Sequence, residues 1–213
     1  MLWAILSDVH GRGDRLARVI ADAQAAGAAR FLSLGDVGGT AALDLLADVD
    51  AQCVFGNWEA SGLRGMVQPY RGIVGRWHAH HRDDGLWAGH ASPVWPAGLG
   101  IAGVVDYLRQ HGLHWLALFP SLQHSEEARW AALAEMEAVQ APIFFHGHTH
   151  IQEAWLWQPD AAPARLSGPA FVIESGPARC LVGVGSVGLP HDGSGACYVL
   201  YDDVARRVEW RRV

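Results

Sequence analysis

Three short apolar runs near the start of the chain, residues 2–7, 30–34 and 51–55, break off at Asp8, at Gly35-Asp36 and at Gly56-Asn57. Between the first two, residues 14–26 place Leu16, Val19, Ile20 and Ala23 at the three- and four-residue spacing of a helix. Residues 40–46 read as a second helix, with Thr40 in position to cap it. Alternating strands and helices imply parallel pairing, with helices covering the faces of the sheet. Parallel strands end on one rim, and ligands of such sheets bind outside that rim. The polar residues that stop these runs are therefore brought together by the topology.

The rest of the chain reads differently. Residues 71–90 are expected to form one or two strands ending at Gly89-His90, and Pro93, Pro96, Gly98 and Gly100 mark a loop. Helical stretches follow over 101–111 and 125–139. Residues 142–145 read as a buried strand running into His146-Gly147-His148-Thr149-His150. Short strands are expected over 151–157, 170–175, 180–187, 196–202 and 206–212. A β-α-β start and a strand-rich end fit two sheets flanked by helices better than one doubly wound sheet. No repeat or linker divides the chain, so residues 1–213 are expected to form a single domain.

Composition removes several classes. All sixteen basic residues are arginine, so Schiff-base or catalytic-lysine chemistry is excluded. The net charge of -6 argues against a non-specific nucleic-acid binder, which needs a basic face. Bound cations would reverse that charge locally, so a phosphate substrate remains compatible. Cys53, Cys180 and Cys197 have no paired spacing and are expected to be reduced. The N-terminus lacks a basic segment before its short apolar run, and no run approaches the ~20 apolar residues of a membrane span. A cytoplasmic globular protein is expected, of an oligomeric state the sequence does not reveal.

Asp8-x-His10 alone is a common pattern in a chain rich in Asp and His, and Gly-Asp and Gly-Asn are ordinary turn pairs. Gly147-His148-x-His150 is rarer and favours a metal role by itself. His90 alone reads as a hydrogen-bonded or surface histidine. The order of the set and its placement at strand ends make the case. Imidazole, carboxylate and amide-oxygen donors without thiolate suit Mn, Fe, Zn, Co or Ni.

In these residues, Asp8-x-His10, Gly35-Asp36, Gly56-Asn57, His90 and Gly147-His148-x-His150, the chain resembles the calcineurin-like metallophosphoesterase superfamily. Residues 185–193, Gly-Ser-Val-Gly-Leu-Pro-His-Asp-Gly, resemble a Gly-Ser-Val-Gly-Gln-Pro-Arg-Asp segment of its small bacterial phosphodiesterase branch. His90-Ala91-Ser92-Pro93 resembles that branch's His-Gly-Ser-Pro. The resemblance implies an α/β (α+β) fold: a four-layer αββα sandwich of two mixed β-sheets flanked by helices. It implies two divalent cations, manganese favoured. Asp8, His10, Asp36 and His150 would hold the first; Asp36, bridging, with Asn57, His90 and His148 would hold the second. Asp36, Asn57 and His90 would then carry catalysis, in which a water made acidic by the metal pair attacks phosphorus in line.

The departures are informative. Many relatives have histidine after Gly-Asn, in a role that protonates the leaving group or steadies the phosphate; this chain has Trp58, whose indole N–H donates but does not titrate. Trp58 reads either as a packed aromatic or as a platform for a nucleobase or other ring. Another histidine (His78, His80, His81, His114 or His124) would have to supply the proton, or the substrate carries a good leaving group. Arg12 and Arg64 lie near motif loops and are candidates to bind a substrate phosphate. His191 stands where the branch has arginine, and Gly183 where it often has asparagine. The expected activity is hydrolysis of a small phosphodiester or nucleotide phosphoanhydride. A phosphomonoesterase or protein phosphatase, a nuclease, and a non-catalytic scaffold retaining the fold are the alternatives.

Overall fold

A computed structural model describes residues 1–83, 85–174 and 176–213. In chain order its elements are β1 (Leu2–Leu6), α1 (Gly13–Ala25), β2 (Arg30–Ser33), α2 (Thr40–Asp48), β3 (Gln52–Cys53), α3 (Asn57–Gly62), α4 (Tyr70–Val74), β4 (His80–Asp83) and β5 (Leu86–Gly89). Then come α5 (Val104–His111), α6 (Glu126–Ala138), β6 (Ile143–His146), β7 (Gln152–Trp157), β8 (Ala164–Leu166), β9 (Ala170–Val172), β10 (Arg179–Val184), β11 (Cys197–Asp202) and β12 (Arg207–Arg212).

The strands form two six-stranded mixed sheets, ordered β3-β2-β1-β11-β12-β9 and β4-β5-β6-β10-β7-β8. In the first, β1, β2 and β3 are parallel, and β11 joins β1 antiparallel with Tyr201 opposite Trp3. In the second, β5, β6 and β10 are parallel. Side-chain alternation builds the layers. On β1, Trp3 and Ile5 face the space between the sheets with Val182 and Val199, while Ala4 and Leu6 face Leu16, Val19 and Leu46 of the outer helices α1 and α2. On β10, Cys180 and Val182 point between the sheets and Leu181 packs with Leu133 and Met136 of α6. Strands buried on both faces read as continuous apolar runs, which is why they are visible in sequence. The result is the expected four-layer αββα sandwich.

Local differences have local causes. Residues 71–90 do not extend as strand from their start. Tyr70–Val74 is helical, with Val74 its one buried side chain, and strand begins only at His80. Pro69, Gly72 and Gly75 interrupt any strand pattern there. Asp84 and Ser175, inside the expected strands 71–90 and 170–175, lie outside the described residues. Thr40 is the first residue of α2 rather than its cap, and Gly39, at φ +80°, occupies the cap position. β10 ends at Val184 because Gly185, at φ +82°, turns the chain into the loop that follows. Among the described residues, no helix is long and apolar enough to cross a membrane.

Tyr198 locks β11 to α1. Its hydroxyl donates to Asp22 Oδ2 at 2.5 Å, and Arg211 grips the same carboxylate at 3.1 Å. Burial first, then the hydrogen bond to Asp22 and the charge of that carboxylate, raises the phenol above its ordinary value of 10.0. A raised folded-state value favours the neutral phenol. The associated stability is present below about pH 10 and declines as the pH rises past it. Tyr198→Phe is therefore expected to lose less melting temperature than the parent between pH 10 and pH 11. Calorimetric scans across that range check it, and parallel curves for the two proteins would refute it.

Candidate metal centre

All seven donor residues singled out in the sequence come to one end of the two sheets. Asp8 and His10 follow β1, Asp36 follows β2, and Asn57 opens α3 just after β3. His90 follows β5, and His148 and His150 follow β6, so the second sheet contributes the remaining three. The loops are laced edge to edge. Asp8 N–H donates to Gly35 O at 3.0 Å, His10 N–H to Asp36 O at 3.0 Å, and Gly147 N–H to His90 O at 2.9 Å. Across the sheets, His148 N–H donates to Asp8 Oδ2 at 2.9 Å.

The hydrogen bonds decide which imidazole nitrogens are free. His90 Nδ1 lies 2.8 Å from Leu34 O and His150 Nδ1 lies 2.7 Å from Leu189 O. A carbonyl only accepts, so each Nδ1 carries a proton, and in the neutral ring each Nε2 is left with the lone pair. His90 Nε2 is 3.0 Å from Asn57 Oδ1, 3.3 Å from His148 Nδ1 and 3.6 Å from Asp36 Oδ2. His150 Nε2 is 3.2 Å from both His10 Nε2 and Asp8 Oδ1. With these rings neutral, the Nε2 lone pairs of His90 and His150 face the donor atoms of their neighbours. Asp8 Oδ1 is buried and has no hydrogen-bond partner among the described residues. The donor atoms of Asp8, His10 and His150 lie within 4.8 Å of one another, as do those of Asp8, Asp36 and His90. This donor set fits divalent cations.

Charge leads to the same place. Burial, with the negative charges of Asp8 and Glu59 added, pushes the Asp36 carboxyl up to about 7 against the pull of His90. Burial drives His148 down to about 3, so its ring is neutral at physiological pH. Burial works against the charge of Asp8 too, but the imidazole of His150 against it, and that of His90, hold its carboxyl low. Burial works against the charged forms of His90 and His150, but the nearby carboxylates hold both imidazoles above their ordinary value, and a cation bound among these carboxylates would take the place of that charge.

The backbone is held in an unusual shape to achieve this. Asp8, His10, Asp36, His148 and His150 all have φ between +50° and +63°, a region that few non-glycine residues occupy. Gly147 is required by close approach, since a Cβ there would collide with Ser7 Oγ and Asp8 Oδ2. Glu59, unassigned in the sequence reading, accepts N–H bonds from Asp36, Val37 and Gly56, each at 2.8 Å. The signal for it was the Gly56-x-x-Glu59 spacing of a helix start, where the third residue reaches back to the cap. Residues 185–193 brace the other side: Ser186 Oγ donates to Asp8 O at 2.8 Å and Gly188 N–H to the same oxygen at 2.9 Å.

The family model for the calcineurin-like phosphoesterase superfamily domain matches residues 1–205. This chain belongs to that superfamily. A metallophosphoesterase from Sphaerobacter thermophilus has a similar structure, with a TM-score of 0.72 and 23% identity over 100% of this chain and 88% of that one. An archaeal phosphodiesterase is similar at a TM-score of 0.52 and 10% identity, over the whole of both chains. No curated protein matches.

For a phosphoesterase-superfamily chain, the surroundings of the donor cluster matter as much as the donors. Arg12 pairs with Asp14 at 2.9 Å, and Arg64 with Asp106 at 2.8 Å, so both guanidinium groups are held by a neighbouring carboxylate. Trp58 stands beside His10, with ring centroids 4.3 Å apart. Of the histidines named as substitute acids, His80 is held by Ser92 O at 2.8 Å, His81 lies near Trp3, and His114 caps a short turn. His78 and His124 are exposed. None of the five makes a ring contact or side-chain hydrogen bond with the donor set among the described residues. His191 does: its ring lies 4.6 Å from that of His150.

Proposed function

We propose that the chain is a dinuclear metal-dependent phosphoesterase acting on phosphodiesters or nucleotide phosphoanhydrides. The observation that carries this reading is the convergence of lone-pair donors from five strand ends, with the competing imidazole N–H groups already bound to Leu34 O and Leu189 O. In this reading Asp8, His10, Asp36 and His150 would hold one cation. Asp36, Asn57, His90 and His148 would hold the other. Two divalent cations would there supply the polarisation of a phosphoryl oxygen and the acidity of a water.

The protein's own residues supply the rest. Asp36 suits the shared position because its Oδ1 is fixed by Trp58 N–H at 2.8 Å while Oδ2 faces His90. Asp8 keeps Oδ1 open because Oδ2 is occupied by His148 N–H. His10, His148 and Asn57 add donors without negative charge that would repel a phosphate. Trp58 brings no titratable group, so leaving groups that need little protonation are favoured over alkyl alcohols. Arg12 or Arg64 would contact substrate with guanidinium N–H groups beyond those that hold Asp14 and Asp106.

The test is a comparison of bis-p-nitrophenyl phosphate with p-nitrophenyl phosphate on protein loaded with Mn, alongside a measurement of bound metal. Faster turnover of the diester is expected. Preference for the monoester sinks the diester reading in favour of a phosphomonoesterase. No bound metal and no turnover with Mn, Co, Ni or Zn would leave the non-catalytic scaffold.

A further inference from the structure

Trp58 is the most exposed of the ten tryptophans, at 49%. It is also the one placed against the donor cluster. Its indole meets the ring of His10 edge to face, with planes 69° apart, and His10 is its one ring partner among the described residues. Its six-membered ring also lies close over Gly38, where a Cβ would come within 3.3 Å of Cζ3. The base of the side chain is fixed by the N–H bond to Asp36. The indole is therefore held in place while half of it remains in water.

A tryptophan serving only the core would be covered, as Trp3 and Trp87 are. A flat apolar surface, already ordered and set beside an anion-binding cluster, is suited to receive a second flat ring at little further entropic cost. The rings around the cluster differ. Beside His150 stands the polar imidazole of His191. Beside His90 and His148 stands Phe119, which is buried. The exposed apolar face is that of Trp58, beside His10.

We infer that Trp58 is a specificity-determining residue whose indole stacks a planar ring carried by the substrate, so that the site prefers phosphoesters with a nucleobase or aryl substituent to alkyl ones. This rests on the phosphoesterase reading above and names the substrate class for the same site. Stacking of this kind changes affinity by roughly ten- to a hundredfold.

Binding separates the possibilities without relying on turnover. The Mn-loaded parent, Trp58→Ala and Trp58→Phe are titrated calorimetrically with AMP, ribose 5-phosphate, phenyl phosphate, methyl phosphate and inorganic phosphate. The parent is expected to bind AMP and phenyl phosphate at least tenfold more tightly than their ring-free counterparts. Trp58→Ala is expected to erase that gap, and Trp58→Phe to keep most of it. AMP well ahead of phenyl phosphate identifies a nucleobase, and equal binding identifies any planar ring; both support stacking. Phosphate bound by the parent with no preference for rings overturns the inference alone. So does Trp58→Ala weakening every ligand by the same factor, since the indole would then be packing for His10. Failure of the Mn-loaded parent to bind any of the five overturns the inference together with the phosphoesterase reading.

Discussion

Asp36→Asn is expected to lower kcat by about a thousandfold or more while leaving the fold intact. The amide keeps an oxygen where Oδ1 accepts from Trp58 N–H at 2.8 Å. That orientation turns the NH2 group toward His90 Nε2, 3.6 Å from the present Oδ2. A donor then occupies the place of a lone pair, and the negative charge that offsets repulsion between two cations is gone. Bound metal should fall with activity. The metal-free proteins behave in the opposite sense. Burial raises the Asp36 carboxyl from 3.8 to about 7, so ionising it works against folding progressively as the pH rises through that interval. The neutral amide removes that penalty. Metal-free Asp36→Asn should melt at or above the parent at pH 7 and close to it near pH 4. Metal content, kcat and melting temperature together make the test. Turnover within about tenfold of the parent would show that Asp36 does not hold a shared position.

The sequence revealed the donors because their signals are local. Each ends an apolar run, and the runs of β1, β6, β10 and β11 are conspicuous because those strands are covered on both faces. The parts it concealed depend on contacts between distant segments. Helix α3 begins where Glu59 accepts from Gly56, but the same carboxylate also ties down Asp36 and Val37 in another loop. No window around residues 57–62 contains those partners. The place of His191 beside His150 depends on the 185–193 loop folding back over the strand ends, where His191 N–H reaches His150 O at 3.0 Å. Which imidazole nitrogen is free is equally invisible in sequence, since backbone carbonyls of Leu34 and Leu189 decide it.

Glu59 is where that non-local wiring has its largest consequence. The side chain is 2% exposed, and its two oxygens accept three backbone N–H bonds, two at Oε2 and one at Oε1. Truncation in Glu59→Ala leaves three buried donors unpaired, at roughly 1–3 kcal/mol each. That approaches the ~5–15 kcal/mol that keeps a domain folded. A fall in melting temperature on the order of 10 °C or more is expected. Glu59→Gln is the sharper probe. Its single oxygen can keep Asp36 and Gly56, but its NH2 group then meets Val37 N–H, donor against donor. The loop carrying Asp36 stays attached but shifts. Metal affinity should drop by about ten- to a hundredfold, the range seen when partners of metal ligands are changed, while melting temperature falls less than in Glu59→Ala. If metal affinity in Glu59→Gln equals that of the parent, Glu59 serves the fold alone and does not position Asp36. If it falls as expected, the donor geometry at the ends of β2 and β3 is set by a carboxylate that binds only the protein's own backbone.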